Sequence, residues 1–167
     1  MSSYLNNTFV YRAPSGVPGD VVDNNQSLVE TLWLDTENPP TAFGQPVKIV
    51  SNLVNAIQAS DTAADFYGIL TRSIPGVSGS SSNSGAAVPN TTYAQGILVD
   101  GYVCVYCTIG TPSINGTVYM RVVAATGKAI GDLEATADGS NNVALTNVIW
   151  AAAGKDSNNV AVIRVSK

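Results

Sequence analysis

The most constraining feature of this chain is a long alternating stretch that runs from Gln95 to Thr126. Its first part repeats with period two, as a pleated strand does. One face then carries Tyr102, Cys104, Tyr106 and Thr108, and the other carries Val103, Val105, Cys107 and Ile109. Asn115-Gly116 is a strong turn signal, because both residues tolerate positive φ. We predict a hairpin with a second strand over residues 117–123, and further strands to pair with it, since an isolated hairpin is marginal in water.

The composition indicates one domain whose surface is unusually poor in charge. The chain has 167 residues, of which 12% are charged and 45% hydrophobic. Typical globular chains carry about 25% charged residues. Such a chain is either a monomer of low charge or a protein that buries extra surface against partners. The net charge of −4 and the absence of a basic cluster argue against nucleic acid as a partner.

Cys104 and Cys107 form the one C-x-x-C motif in the chain. On a single strand these two residues point to opposite faces, so they cannot easily bond to each other or share a metal. There is no second pair and no histidine. We therefore interpret them as buried structural thiols and expect no metal and no cofactor. Free thiols are typical of assembly in a reducing cytoplasm.

Residues 1–26 are predicted to form an extended N-terminal arm. Prolines and glycines between Pro14 and Gly19 prevent a helix. An extended segment of this length spans roughly 60–80 Å at about 3.3 Å per residue, enough to reach a neighbouring subunit. Folding back onto its own domain is the alternative. The candidate contact residues in the arm are Tyr4, Leu5, Phe9, Val10, Tyr11 and Arg12.

Residues 27–167 are predicted to form the domain, as a series of short strands separated by turns. Strands are expected over residues 27–34, 47–50, 53–57, 66–72, 128–135, 143–152 and 160–165, with one helical turn within 59–65. The strand at 27–34 is apolar on both faces, so we expect both faces to be covered. Residues 74–92 are rich in Ser, Asn and Gly and are predicted to be a flexible loop. This pattern is typical of an all-β protein: a compact sandwich or barrel of short, mostly antiparallel strands.

The residues that the chain lacks indicate that the protein is not an enzyme. Without histidine, a Ser-His-Asp or Cys-His arrangement is impossible. Asp132 and Glu134 would share a face on a strand and are the one candidate acid/base pair, as in a glycosidase. Solvated turn or edge charges are the simpler interpretation of this pair. Arg72, Arg121 and Arg164 are expected to pair with carboxylates inside the domain or across an interface.

Several segments, in this order and spacing, resemble the capsid cement (decoration) proteins of tailed phages, also called structural cement proteins. The segments are Pro18-Gly19-Asp20-Val21 with Val29-Glu30; Ala42 to Lys48; Asp65 to Arg72 with Pro75; Gly101-Tyr102; Gly116 to Val122; and Gly131 to Ala135 with Asp138. Two departures are Val99-Asp100, where basic residues would be expected before Gly101, and the long Ser/Asn loop from Ser78 to Gly85.

The resemblance implies a β-rich domain on the outer capsid surface of a virion. It implies that the partners are the major capsid protein, whose subunits it would bridge, and further copies of itself as a homodimer or homotrimer. No nucleic acid or membrane partner is expected: the N-terminus shows no secretory signal, and no apolar run approaches membrane-spanning length. Assembly would take place in the host cytoplasm.

Two other functions remain compatible with the residues. One is a different virion β-module, such as a head fibre base or a tail-associated receptor-binding domain. The other is a small carbohydrate-active enzyme that uses Asp132 and Glu134.

Overall fold

The computed structural model describes residues 16–22, 27–72 and 89–167. Over these residues the fold is all-β, with a single 3-10 turn at Ala63–Asp65, which confirms the predicted class. The nine strands are β1 (Leu28–Leu32), β2 (Pro46–Val50), β3 (Leu53–Ala56), β4 (Gly68–Leu70), β5 (Gln95–Ile109), β6 (Thr117–Arg121), β7 (Leu133–Glu134), β8 (Asn142–Trp150) and β9 (Val160–Val165).

Strand β5 organises the molecule because it belongs to two rings of strands. It is 15 residues long, and its N-terminal half pairs with β1 and β4. Its C-terminal half pairs antiparallel with β9 and parallel with β7. One strand thus runs through both rings, with a register shift against β1 between Leu98 and Asp100.

The first barrel closes in the order β5-β7-β6-β8-β9, with β9 pairing again with β5. Its interior is a hydrophobic core in which Trp150, Met120 and Ile163 are almost fully buried. A closed ring leaves no free edge among its own strands.

The second, smaller barrel contains β3, β2, β4, the first half of β5, and β1. A parallel bridge between Leu34, just after β1, and Val54 of β3 closes it. Its separate core contains Leu34, Val47, Val54, Leu70, Ile97 and Val99.

The predicted hairpin between the strands at 95–109 and 117–123 is wrong in its pairing. Both strands exist and Asn115 adopts the expected positive φ of 59°. However, β7 lies between them, so β6 pairs with β7 and β8. The connection over residues 110–116 is too long to impose the direct pairing of a two-residue turn, and the short strand β7 occupies the space.

The remaining elements agree with the sequence in position more than in length. The Ser51-Asn52 turn joins β2 to β3, and both residues have positive φ. The strand expected over 128–135 is reduced to Leu133–Glu134, and that expected over 66–72 to Gly68–Leu70. Residues 73–88, most of the predicted flexible loop, lie outside the described residues.

Candidate interaction surface

Four exposed apolar side chains lie on the outside of the second barrel. They are Val29 and Trp33 from the β1 segment and Val50 and Leu53 from the β2–β3 turn, and we call them the outer patch. Trp33 is 56% exposed and Val50 is 45% exposed. Large apolar side chains that lie together on a surface are typical of a binding site.

The strand register explains why these side chains lie together. Leu34 and Val54 bridge and fill the core, so the preceding residues, Trp33 and Leu53, point outward next to each other. Val50 lies directly opposite Leu53 in the β2–β3 pair. The outer patch therefore crosses three neighbouring chain segments.

Strand β1 also presents an open backbone edge. The carbonyl of Gly96 on β5 accepts from the Thr71 amide at 2.8 Å, so the polar groups of Gly96 point toward β4. Thr31, which lies opposite Gly96, must then direct its own amide and carbonyl away from β5. The same holds for Val29, two residues earlier.

The same edge is occupied further along the chain. The Val54 amide donates to the Trp33 carbonyl at 2.9 Å, and the Asp35 amide donates to the Val54 carbonyl at 2.8 Å. Strand β3 therefore covers this edge at residues 33–35. Among the described residues, no strand covers it at Val29 and Thr31.

The expectation that both faces of this segment are covered is wrong for the isolated chain. The inward face is closed, because the Tyr67 hydroxyl donates to Glu30 and Lys167 lies 3.5 Å from the Glu30 carboxylate. This hydrogen bond lowers the pKa of Glu30 and raises the pKa of Tyr67. The outward face, with Val29 and Trp33, is open to solvent. Apolar residues on both faces of a strand predict that both faces are buried. This pattern does not identify whether the same chain or a partner covers each face.

The first barrel contains a buried ionic network. The Arg121 guanidinium donates to both Glu134 oxygens, at 2.5 and 3.1 Å, and to Asp138 at 2.6 Å. Asn142 donates to Glu134 at 2.6 Å, and Lys128 lies 3.0 Å from Asp138. Arg121 and Glu134 are fully buried. The interpretation of Glu134 as a solvated charge is therefore wrong: it is the internal partner of Arg121.

The electrostatics of this network fit a structural role. Hydrogen bonds from Arg121 and then Lys128 lower the pKa of Asp138 to about 2. Burial raises the pKa of Asp132, whose carboxylate accepts from the Ala129 amide at 2.8 Å. Asp132 and Glu134 are thus committed to different partners, a turn amide and a buried guanidinium. This arrangement gives no support to an acid/base pair.

Residues 16–22, the described part of the predicted arm, lie against β5. The Gly19 amide donates to the Cys104 carbonyl at 2.8 Å, and the Gly19 carbonyl accepts from the Arg72 amide at 2.8 Å. Gly19 has a φ of +90°, and a Cβ there would lie 2.7 Å from that of Phe43. The site therefore requires glycine. We call this contact the arm anchor.

The two cysteines occupy different environments, as the alternation predicts. Cys107 lies in the core of the first barrel, and Cys104 lies under the arm anchor, where a Cβ at Gly16 would come within 2.8 Å of its sulfur. Neither cysteine forms a disulfide. Burial raises both pKa values, that of Cys104 to about 11. The thiolate is suppressed at both positions, which agrees with structural thiols.

The structure describes only some of the site residues that the sequence predicts. Tyr4, Leu5, Phe9, Val10, Tyr11 and Arg12 lie outside the described residues. Arg121 pairs inside the domain as expected, whereas the Arg72 guanidinium lies over the Phe43 ring at 5.4 Å. Arg164 projects from β9 and is exposed.

Residues 16–22, 27–72 and 89–167 hold no cluster of three or more His, Cys, Asp or Glu side chains that could hold a metal ion. Over the same ranges, no helix is long and apolar enough to cross a membrane.

The fold and the outer patch define a two-barrel β protein with exposed apolar side chains on the second barrel. The family model described as structural cement protein (E217 gp24/Pam3 gp6) matches residues 5–166. The chain therefore belongs to the structural cement proteins of phages. A chain of the solved structure "The capsid of Myoviridae Phage XM1" has the same fold, with a TM-score of 0.67 and 18% identity over 99% of each chain. No curated protein matches this chain.

The segments that carry the resemblance meet mainly in the scaffold. Gly19, Phe43 and Arg72 come together at the arm anchor. Arg121 and Glu134 form the buried network. The outer patch, apart from Val29, lies outside these segments. The sequence signal that identified the family therefore did not identify the exposed surface.

Proposed function

We propose that this cement protein binds the outer surface of a phage head as a homodimer or homotrimer and bridges subunits of the major capsid protein. Family membership carries the proposal, and the outer patch supplies a surface suited to it. Assembly onto the shell would take place in the host cytoplasm, since two buried cysteines without a disulfide are compatible with a reducing environment.

The outer patch supports the proposal through its chemistry. Its four members are uncharged, and the turn residues Ser51 and Asn52 beside them are uncharged too. Burial of apolar surface contributes about 25 cal/mol per Å² removed from water. Each copy needs only a modest interface, because a protein that engages several sites on one shell gains from high effective concentration.

The arm supports the proposal through its position in the chain. Residues 1–26 are proposed as the arm and residues 27–167 as the domain. The arm anchor holds residues 16–22 on β5, and the apolar residues from Tyr4 to Tyr11 precede it. An anchored segment can transmit a contact made by the arm directly to the central strand of the domain.

A catalytic function is not proposed. Glu134 is buried and fully engaged by Arg121 and Asn142, so it cannot act as a general acid without breaking the network. The family also favours a cement protein over a fibre base or a receptor-binding domain. If the wild type and the Glu134→Gln variant hydrolyse glycosides at the same background rate, this result would support the exclusion of a catalytic role for Glu134.

The direct test adds the purified protein to undecorated phage shells and follows sedimentation and the melting temperature of the shells. We expect binding and a higher melting temperature. A deletion of residues 1–15, which keeps the arm anchor, should stay folded but bind shells more weakly. Absence of shell binding by the intact chain would contradict the proposal. If labelling of this protein on virions marked the tail tips instead of the head, that result would contradict it too.

A further inference from the structure

We propose that Arg164 of one copy binds Asp132 of a second copy, and that two copies make this contact reciprocally through the outer face of the first barrel. The inference rests on the proposed function in one respect, namely that copies of the protein associate. It goes further because it names the face, the two charged residues and the pocket in which they meet.

Arg164 makes no hydrogen bond or ion pair with the described part of its own chain. It lies on β9 between Tyr102 of β5 and Ile149 of β8, and it is exposed. The other described Lys and Arg side chains contact a carboxylate, a carbonyl oxygen or an aromatic ring of the same chain. They are Lys48, Arg72, Arg121, Lys128, Lys155 and Lys167. A chain that uses its few cations internally thus leaves Arg164 available to a second molecule.

Asp132 lies in a pocket on the outside of the first barrel, next to the second barrel, and we call it the junction pocket. Its lining includes Tyr106 of β5 and Gln45 from the connection between β1 and β2. Leu133 pairs with Cys107 and both face the core, so the preceding residues, Asp132 and Tyr106, lie side by side on the outer face. The pocket therefore offers a carboxylate beside an aromatic ring that is 50% exposed.

The chemistry of the junction pocket suits an arginine side chain. Asp132 accepts a hydrogen bond from the Ala129 amide at 2.8 Å, and it forms no ion pair within the described residues. Burial raises the pKa of Asp132, so the carboxylate gains from a nearby cation. A guanidinium binds a carboxylate through paired hydrogen bonds, and the ring of Tyr106 adds cation–π attraction.

Arg164 cannot supply this partner within its own chain. Strands β9 and β7 lie on opposite edges of β5, which separates them by two strand spacings of about 4.8 Å. Arg164 lies opposite Tyr102, whereas Asp132 lies beside Tyr106, about 13 Å further along β5 at about 3.3 Å per residue. This separation exceeds the reach of the two side chains, so each charge needs a partner on another molecule.

The cation and the pocket have the placement that a self-complementary face requires. Both lie on one outer face, so a two-fold axis between them brings Arg164 of each copy to the junction pocket of the other. Val17 lies between them, because Gly16 packs over the Cys104 sulfur and Val17 is 44% exposed. The two copies would have this apolar residue near the axis and charged contacts toward the rim, as protein interfaces commonly do.

Charge complementarity selects a second copy as the occupant, because this chain supplies both charges of the contact. The face shares no residue with the outer patch. A dimer formed in this way presents two outer patches, each of them free to contact a capsid subunit. The inference therefore gives a physical route by which one unit bridges two subunits.

Carbodiimide cross-linking of an Arg164→Lys variant tests the contact directly. The reagent activates a carboxylate, and attack by the introduced amine leaves an amide bond, while the reagent departs as a urea that carries the lost oxygen. Isotope-labelled and unlabelled protein are mixed beforehand, so that mass spectrometry recognises peptides that join two copies. We expect hybrid peptides in which residue 164 is linked to Asp132.

The matched controls change one carboxylate at a time in the Arg164→Lys background. The link should disappear with Asp132→Asn and persist with Glu37→Gln, which alters an exposed carboxylate on the second barrel. Links within single chains, or hybrid links to Glu37 or Asp100 in place of Asp132, would overturn the inference. Absence of any link at residue 164 would overturn it too.

Sedimentation of the free protein measures how much the contact contributes. We expect Arg164→Gln and Asp132→Asn each to weaken the dimer at least about tenfold, because each leaves the other charge unpaired. The double variant should be no weaker than the weaker single variant, since both changes remove one contact. Lys167→Gln, which removes an exposed cation that pairs with Glu30, should leave the dimer unchanged.

These variants should keep the far-UV spectrum and the melting temperature of the wild-type monomer. Arg164 is exposed, and the asparagine amide oxygen at position 132 can still accept from Ala129. If Asp132→Asn does not fold, the Arg164 variants still decide the question. A wild type that stays monomeric at its highest soluble concentration, or a folded Arg164→Gln protein that dimerises normally, would contradict the inference.

Shell binding of the wild type is measured separately, so that the two proposals fail in different ways. A dimer that carries the link to Asp132 but does not bind shells would support this inference and contradict the cement function. On decorated shells, a link from the introduced lysine to the capsid protein in place of a second copy would overturn the inference.

Discussion

The two barrels share one strand but use their residues in opposite ways. The first barrel buries charged groups, Arg121 and Glu134, and satisfies them with several hydrogen bonds. The second barrel buries a small apolar core and leaves exposed the four members of the outer patch, Val29, Trp33, Val50 and Leu53. The first barrel is closed by β9 pairing with β5, and the second leaves part of β1 without a neighbour among the described residues.

This difference separates scaffold from contact surface. A buried and fully bonded ionic network rigidifies and specifies a core, and it is costly to disturb. Exposed apolar side chains contribute little to the stability of the isolated chain. Their burial becomes favourable when a partner covers them. Substitutions in the first barrel should therefore affect stability, and those on the outer patch should affect association.

The largest expected effect is on the network. Glu134→Ala leaves the buried Arg121 without its main partner and should lower the free energy of unfolding by about 3–5 kcal/mol. Denaturant unfolding measures this. The control Glu37→Ala, at an exposed loop position, should change it by less than about 0.5 kcal/mol. Equal effects of the two substitutions would show that the network does not hold the first barrel.

Next in size is the arm anchor. Gly19→Ala places a Cβ 2.7 Å from Phe43 in a backbone of positive φ, so we expect a loss of about 2–3 kcal/mol. Gly139→Ala is the matched control, because its φ is +58° and nothing lies within 4 Å. Backbone strain alone should cost the control about 1–2 kcal/mol. If both variants lose the same stability, close packing at the anchor contributes nothing.

The outer patch should show the opposite behaviour. Trp33→Ser should change stability by less than about 0.5 kcal/mol, because the side chain is mostly exposed. Its shell affinity should fall by roughly 30-fold, the effect of losing an aromatic hot spot worth about 2 kcal/mol. Binding of the labelled protein to shells measures this. Ile114→Ser, similarly exposed on the first barrel, should leave the affinity unchanged, and a comparable loss there would contradict the assignment of the patch.

The smallest effect concerns pH. The folded pKa of Asp138, about 2, lies below its ordinary value of 3.8, so its contribution to stability is complete above pH 3.8 and is lost as the pH falls through about 2. The difference in melting temperature between the wild type and Asp138→Asn should therefore stay constant from about pH 7 to about pH 5 and shrink at lower pH. A difference that grows on acidification would contradict the assignment.

The strands could be read from the sequence because their signals are local. Alternation from Tyr102 to Ile109 predicted β5 and placed the two thiols on opposite faces. Pairing could not be read in this way, since the insertion of β7 between β5 and β6 depends on residues distant in the chain. The pairing of Arg121 with Glu134 could not be predicted from the sequence for the same reason.

The sequence by itself determined the all-β class, the resemblance to the cement proteins and the period-two pattern of the central strand. These depend on local backbone preferences and on residue order, which are properties of the chain alone. Only the tertiary structure decided that β5 serves two barrels, that Glu134 is internal, and that one face of β1 is bare. Burial and edge exposure depend on which strands meet, and that is settled by packing across the whole molecule.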